Sequence, residues 1–105
     1  MNKKVYIFVH PHEFLILLKT TVFTTPNCPN CKLLKDFLEK LGILYDEKNL
    51  LDLDVQTELI MMDIFTMSAP ILKIGKRILT FKELFEGGKL NEKLIINVLE
   101  AEENG

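Results

Sequence analysis

The hydrophobic pattern predicts two strands in the first quarter of the chain. Val5 to Val9 is a run of β-branched and aromatic residues that ends before Pro11, and Thr20 to Thr24 is a second run of strand-forming residues. Glu13 to Lys19, which lies between them, fits a short helix and a further strand equally well. We therefore expect two strands joined by a segment of undecided structure.

A helix predicted after the second strand has the clearest pattern of the chain. Pro29 suits its first position, where the missing N–H of proline needs no partner, and Cys28 then becomes the N-cap. Gly42 is placed to end the helix. Apolar residues recur at intervals of three and four, with charged residues on the opposite side. These apolar residues are Leu34, Phe37, Leu38 and Leu41.

The middle of the chain predicts another strand and a second helix. Ile43 to Tyr45 has the composition of a short strand. Asp54 is placed to cap a helix that runs from about Val55 to Phe65. The helical pattern breaks at Ser68-Ala69-Pro70. The apolar face of this helix consists of Val55, Leu59 and Met62.

The last third of the chain predicts a hairpin and a final helix. The hairpin pairs Ile71 to Ile74 with Arg77 to Phe81, and Gly75 fits the first position of a type II′ turn. Lys82 to Phe85 has room for a single helical turn. Asn91 can cap the last helix. Its inward face consists of Leu94, Ile95, Val98 and Leu99.

These elements predict one α/β domain with a mixed central sheet flanked by helices. Helices between strands favour parallel pairing, and the hairpin adds an antiparallel pair. A chain of 105 residues has no room for a second independent core. With 48% hydrophobic and 27% charged residues, its composition is that of a soluble domain.

Charge and hydropathy also limit the partners that we expect. A net charge of −2 favours neither nucleic acid nor a membrane surface. The apolar run from Phe14 to Leu18 is too short to cross a bilayer. The apolar part of Val5 to Val9 is too short for a secretory signal, and no small-residue cleavage site follows it. We therefore expect a cytoplasmic protein.

Cys28 and Cys31 are the only cysteines of the chain, and they lie between a predicted strand and a predicted helix. The positive end of the helix dipole would stabilise the first sulfur as a thiolate, which is the reactive form of cysteine. Two intervening residues let the second sulfur reach the first, so that the pair can cycle between dithiol and disulfide. In a reducing compartment such a pair is typical of catalysis or metal binding.

The stretch Thr24 to Lys32, read as T-T-P-N-C-P-N-C-K, resembles the glutaredoxins, and so does a proline at position 70 that opens a hairpin. The resemblance covers about Thr20 to Glu100 and implies a thioredoxin-like fold. Met1 to Lys19 is then an N-terminal extension, either an added edge strand or a strand with a short helix. The resemblance also implies a cis peptide bond between Ala69 and Pro70, whose backbone would pair with an incoming substrate.

The function implied by the resemblance is that of a small dithiol–disulfide oxidoreductase. Cys28 would be the nucleophile and Cys31 the resolving cysteine, with their own disulfide as the redox group and no bound cofactor. The expected partners are a disulfide-containing protein and a thiol or flavoprotein reductase, and we expect a monomer. The residues expected around the substrate are Ala69, Pro70, Pro29, Asn30 and Lys32.

One departure from the family concerns glutathione. Glutaredoxins that use glutathione usually carry a Gly-Gly pair and an acidic residue just after the hairpin, whereas this chain reads L-T-F-K-E from Leu79 to Glu83. In this respect it is similar to the redoxins that a flavoprotein reductase reduces and that supply electrons to ribonucleotide reductases. An electron donor of that kind is therefore one expectation.

The alternative is a metal-binding or protein-docking module. Zinc accepts cysteine and histidine side chains as ligands, and this chain offers Cys28, Cys31, His10 and His12. The two histidines, however, lie on a turn before the motif, and nothing in the resemblance brings them to the cysteines. Zinc that is lost together with the fold would favour this alternative.

Overall fold

The computed structural model of the protein describes residues 19–104. The predicted strand Val5 to Val9 and the undecided segment up to residue 18 lie outside the described residues. Helices and strands alternate in the order expected for an α/β domain. The elements are β1 (Thr20–Thr24), α1 (Pro29–Lys40), β2 (Asp46–Asn49), α2 (Leu53–Met61), β3 (Ile71–Ile74), β4 (Arg77–Leu79), α3 (Phe81–Leu84), β5 (Phe85–Glu86), β6 (Lys89–Leu90) and α4 (Glu92–Asn104).

The central sheet is mixed, as predicted, and its strands lie in the order β2-β1-β3-β4. β1 pairs with β2 in parallel, with Val22 opposite Glu47. It pairs with β3 in antiparallel fashion, with Phe23 opposite Ile71. β4 completes the hairpin with β3. β1 is therefore a central strand, and the chain that leaves it lies near the middle of one sheet edge.

β1 buries apolar side chains on both faces of the sheet, because neighbouring residues of a strand point to opposite sides. Val22 belongs to the larger core cluster, which contains residues of α1 and α4. Phe23 belongs to a smaller cluster that contains residues of α2. Neither side chain has any exposed surface. Since burial of one such side chain contributes about 1.5–3 kcal/mol, the two clusters fix the helices on opposite faces.

α1 begins and ends where the sequence predicts. Cys28 is its N-cap. At the other end Gly42 adopts a φ of 77° and donates its N–H to the Glu39 carbonyl at 3.0 Å. The N–H of Ile43 bonds to the Leu38 carbonyl at 2.9 Å. These two bonds form a Schellman motif, which needs a residue in the left-handed conformation that glycine adopts without strain.

The predicted position of the next strand is wrong. The strand was expected at Ile43 to Tyr45, but β2 spans Asp46–Asn49. Ile43 belongs instead to the turn that ends α1, and its side chain is buried in the core. Among the strands of residues 19–104, β2 lies at the edge of the sheet; its sequence is D-E-K-N and it is largely exposed. Charged side chains are common at sheet edges, so the strand has no hydrophobic signal in the sequence.

The bounds of α2 also differ from the prediction, which placed a helix from Val55 to Phe65 after a cap at Asp54. The helix starts after Asp52 and ends at Met61. Asp63 then adopts a φ of 63°, the left-handed conformation that ends many helices. Because no glycine marks this end, the apolar periodicity continues past it in the sequence.

The predicted hairpin forms, and Gly75 has the positive φ of 59° that a type II′ turn requires at its first position. Its second strand is shorter than expected, because β4 ends at Leu79 and Phe81 lies in α3. The cause is a capping box: the Thr80 side chain accepts a hydrogen bond from the Glu83 backbone, and the Glu83 carboxylate accepts one from the Thr80 backbone.

Two features of the strands are not predicted by the sequence. β3 runs antiparallel to β1 although a helix precedes it, since residues 62–70 lead the chain back across the fold. The chain also forms a second, two-stranded sheet from β5 and β6. The two turn residues of this hairpin, Gly87 and Gly88, have φ values of 59° and 79°, as a type I′ turn requires.

Two threonines of β1 provide a test of how polar groups affect stability. Both are buried, but the Thr24 hydroxyl donates to Glu47 at 2.9 Å, whereas the Thr20 hydroxyl has no partner among the described residues. A buried hydroxyl without a hydrogen bond is destabilising. We therefore expect Thr20→Val to raise the free energy of unfolding by up to about 1 kcal/mol, measured by urea denaturation of the oxidised protein.

Thr24→Val is the matched control on the same strand, and we expect it to lower the free energy of unfolding by about 1 kcal/mol, because it removes a bond to a carboxylate. A loss of stability of equal size in both variants would contradict the assignment of an unpartnered hydroxyl at Thr20.

Candidate active site

Four segments meet at one edge of the central sheet. The parallel strands β1 and β2 both end there, and a hydrogen bond of 2.7 Å from the Leu50 N–H to the Thr24 carbonyl joins the segments that follow them. β3 begins at this edge, because Phe23 near the end of β1 lies opposite Ile71. β4 ends at the same edge, since Leu72 lies opposite Leu79. The cysteine pair, residues 50–52, Ala69-Pro70 and Thr80 are thus brought together by topology.

The loop between β1 and α1 sets the position of Cys28. Asn27 has a φ of 56°, a left-handed conformation that asparagine tolerates better than most residues. Cys28 follows in an extended conformation as the N-cap, and Pro29 occupies the start of the helix. The Cys31 N–H donates to the Cys28 sulfur at 3.0 Å. The side chain of the cysteine therefore replaces the serine or aspartate that usually caps a helix.

Cys28 and Cys31 form a disulfide, and their Cα atoms are 5.2 Å apart. Cys31 is buried, with 2% of its surface exposed, and Cys28 is half-buried. Cys28 is therefore the cysteine that an external disulfide can approach. The Cα separation lies within the range of ordinary disulfides, so the bond fits between the two helix positions.

The surroundings of Cys28 favour a negative charge on its sulfur once the disulfide is reduced. The sulfur lies at the N-terminus of a twelve-residue helix, whose dipole stabilises anions. It also accepts the Cys31 N–H. The first turn of α1 contains no acidic residue that would oppose this charge. These three features stabilise the thiolate relative to the thiol.

Lys32 and Asn30 lie beside the cysteines on the first turn of α1. The Lys32 ammonium is largely exposed and forms an ion pair of 2.9 Å with Asp36, one turn further along the helix. This hydrogen bond raises the pKa of Lys32 above its ordinary value. The cation therefore stays charged but is already paired on the solvent side. Asn30 is half-buried, and Pro29 is exposed.

A charged cluster behind the site has no signal in the sequence. The Glu47 carboxylate of β2 accepts hydrogen bonds from the Lys35 ammonium at 3.1 Å and from the Thr24 hydroxyl at 2.9 Å. The bond from Lys35 is the main reason that the pKa of Glu47 lies below its ordinary value, and the bond from Thr24 lowers it further. The cluster joins α1, β2 and the end of β1, three elements that bound the site.

The peptide bond between Ala69 and Pro70 is cis, as the resemblance implies. Pro70 is buried, and Ala69 packs against the cluster that contains Phe23. Within residues 19–104, neither the N–H nor the C=O of Ala69 takes part in a backbone hydrogen bond. Ala69 lies just before β3, which pairs with β1 in antiparallel fashion. The N–H and C=O of Ala69 therefore continue the row of backbone groups of β3 towards the loop that carries Cys28.

A groove of about 490 Å³ adjoins this edge and was not foreseen from the sequence. One wall is formed by residues 63–66 and Ser68, which precede the cis bond, and the other by residues 80–82. The ring of Phe81 in the second wall stacks on Phe85, with ring centroids 5.3 Å apart. The sequence pattern placed Phe81 in a strand and therefore gave no sign of a groove here.

Among residues 19–104, no group of three or more histidine, cysteine or acidic side chains could hold a metal ion. The metal-binding alternative therefore gains no further ligand here, and His10 and His12 lie outside the described residues. No described helix is long and apolar enough to cross a membrane.

Comparisons with known proteins agree with this geometry. The sequence model of the family described as Glutaredoxin matches residues 20–78, which include both cysteines and Ala69-Pro70. The crystal structure of a glutaredoxin from Archaeoglobus fulgidus is similar to this fold, with a TM-score of 0.54 and 18% sequence identity over 85% of this chain and 95% of that one. The fold is thus thioredoxin-like, as expected. A comparison with curated protein sequences finds no match.

The lowered pKa of Glu47 predicts a contribution to stability that depends on pH. A carboxylate whose pKa is lowered by folding stabilises the protein above its ordinary pKa, and this stabilisation is lost as the pH falls through the folded-state pKa. Because the side chain is partly exposed, we expect only about 0.5 kcal/mol. Glu47→Gln should therefore destabilise the protein near neutral pH and have less effect in acid, as measured by urea denaturation at both pH values.

Asp36→Asn is the control for this experiment, since Asp36 forms an ion pair of similar length within α1 and does not contact β2. An effect of Glu47→Gln that stays constant from neutral pH to about pH 3 would contradict the prediction.

Proposed function

The chain belongs to the glutaredoxin family, and we propose that it reduces disulfide bonds in proteins through Cys28 and Cys31. As a member of this family it is a thiol–disulfide oxidoreductase and acts on disulfide or glutathione-linked substrates. Beyond this family-level activity, we propose which two cysteines react, in which order they act, and that the substrates are proteins. The observation that carries it is the half-buried Cys28 sulfur at the start of α1, bonded to the buried Cys31.

The reaction begins with the reduced pair. The Cys28 thiolate attacks one sulfur of the substrate disulfide, whose S–S bond breaks while a mixed disulfide with Cys28 forms. The departing substrate sulfur leaves as a thiolate and takes up a proton from water. The N-cap position and the Cys31 N–H support this role, because both lower the free energy of the attacking thiolate.

Cys31 then resolves the mixed disulfide. It loses its proton and attacks the Cys28 sulfur, so that the second substrate sulfur is released and the Cys28–Cys31 disulfide forms. The pair has lost two electrons, which the substrate has gained; of the two protons that the substrate takes up, one replaces the proton lost by Cys31 and the other comes from water. The Cα separation of 5.2 Å supports this step, since the bond forms between positions one helical turn apart.

We propose Ala69-Pro70 as the platform on which the substrate backbone rests. The N–H and C=O of Ala69 take part in no backbone hydrogen bond within residues 19–104, and an extended substrate can pair with them as an added strand. Pro29 and Asn30 would border the same substrate at the start of α1. Lys32 contributes positive charge nearby, although its ammonium is paired with Asp36.

The electrons that restore the dithiol come, in this proposal, from a thiol or a flavoprotein reductase. The segment from Leu79 to Glu83 differs from the Gly-Gly and acidic residue of the glutaredoxins that use glutathione, which supports the reductase. A cytoplasmic location, the monomeric state and a role as electron donor to ribonucleotide reductase stay predictions from the sequence.

Serine variants of the two cysteines test the proposed roles. Cys28→Ser should abolish the reduction of a protein disulfide such as that of insulin, because it removes the nucleophile. Cys31→Ser should instead accumulate mixed disulfides, which dithiothreitol releases and mass spectrometry detects. Applied to purified ribonucleotide reductase, the same variant tests that enzyme as a substrate.

Lys35→Gln is the control, because it leaves both sulfurs and the helix start unchanged. Full activity in both serine variants would overturn the proposed function. One zinc ion per chain in protein purified without chelator, lost together with the fold, would point to the metal-binding alternative.

A further inference from the structure

The groove between residues 63–68 and residues 80–82 adjoins the proposed substrate platform. Ser68 lines the groove, and Ala69 is the next residue of the chain. Thr80 lines the opposite wall and follows β4 directly, at the sheet edge where β1 and β2 also end. A substrate backbone paired with Ala69 therefore passes the mouth of the groove. Side chains of an extended chain are about 3.3 Å apart along its length, so a near neighbour of the attacked cysteine can enter.

In the wall that precedes the cis bond, three backbone N–H groups already have hydrogen-bond partners. The N–H groups of Asp63 and Ile64 donate to the last carbonyl groups of α2, both at 2.9 Å. The N–H of Ser68 donates to the Thr66 hydroxyl at 3.2 Å. A ligand carboxylate needs such donors, and these three are already occupied by acceptors within the protein.

The opposite wall has a carboxylate of its own beside it. The Glu83 carboxylate accepts the Thr80 N–H at 3.0 Å, so an internal anion occupies the position that an external carboxylate would take. Lys82 is the one cation among the lining residues, and Asp63 across the groove balances its charge. The lining residues therefore carry no net charge, and the Glu83 carboxylate beside them would repel an anionic peptide such as glutathione.

The remaining surface of the groove is apolar and rigid on one side. Phe65 is 74% exposed, so its ring is open to contact with a ligand. Phe81 also lines the groove, and its ring stacks on Phe85. Ile64 is packed against the core cluster under α2, which fixes the base of the first wall. A volume of about 490 Å³ accommodates the largest apolar side chains.

We propose that this groove binds a bulky apolar side chain next to the reactive cysteine of a polypeptide substrate, and that it thereby selects such polypeptides over glutathione disulfide. This inference rests on the proposed function, since it assigns the substrate preference of the same site. Glutathione has no bulky apolar side chain to place in the groove, and its carboxylates would meet the negative charges of Asp63 and Glu83.

The test compares three disulfides as substrates of the full-length protein. Two are short cystine-linked peptides that differ only in phenylalanine or glycine on either side of the cysteine, and the third is glutathione disulfide. We expect kcat/KM for the phenylalanine peptide to exceed the value for the glycine peptide on the order of tenfold, because part of the ring leaves water. Glutathione disulfide should react no faster than the glycine peptide.

Phe65→Ala should reduce the preference for phenylalanine severalfold. Leu44→Ala is the matched control, since Leu44 has the same exposed fraction of 74% but lies just before β2, whose first residue is at the opposite end of the sheet. It should keep the full preference. Because both side chains are exposed, neither variant removes a core contact.

Equal rates with the phenylalanine and glycine peptides would overturn the inference and leave the proposed function intact. So would a preference that Phe65→Ala does not change, or a faster reaction with glutathione disulfide. No reaction with any of the three disulfides would overturn the proposed function, and the inference with it.

Discussion

The junction between β1 and α1 is the constraint on which the site depends. A central strand delivers the chain to the sheet edge, Asn27 turns it in a left-handed conformation, and Cys28 caps the helix through its own sulfur. Because the sulfur is the capping group, it cannot move without leaving a helix N–H unpaired. One hydrogen bond thus fixes the reactive atom, directs the helix dipole at it and keeps Cys31 one turn away.

The features predicted correctly from the sequence are those that neighbouring residues determine. Pro29 marks the start of α1, because the first position of a helix does not need the N–H that proline lacks. Gly42 marks the end, because glycine adopts the required positive φ without strain. The cysteine pair follows from the same local spacing. The cis bond before Pro70 is different, since no local pattern requires it and only the resemblance implied it. The roles of the two cysteines and of Ala69-Pro70 in catalysis stay part of the proposed reaction.

The features that were missed depend on contacts between distant parts of the chain. β2 has no apolar pattern, because its pairing with β1 comes from backbone hydrogen bonds and its side chains are largely exposed. The bonds of Glu47 to Lys35 and Thr24 connect residues 12 and 23 positions away, and no spacing along the chain indicates them. The end of α2 was misplaced because Asp63 adopts a conformation that the sequence usually marks with glycine.

The turn after β4 shows how a local choice of residues can change the partner that a site accepts. The capping box of Thr80 and Glu83 starts α3 immediately, which removes Phe81 from the strand and brings its ring beside the groove. The same carboxylate occupies the N–H that an external anion would need. In the proposed site, stability of the turn and discrimination against anionic ligands therefore have a common cause. A chain with glycines in place of Thr80 and Phe81 would have neither the aromatic ring nor the threonine side chain of the cap, so its groove would be open to a different class of ligand.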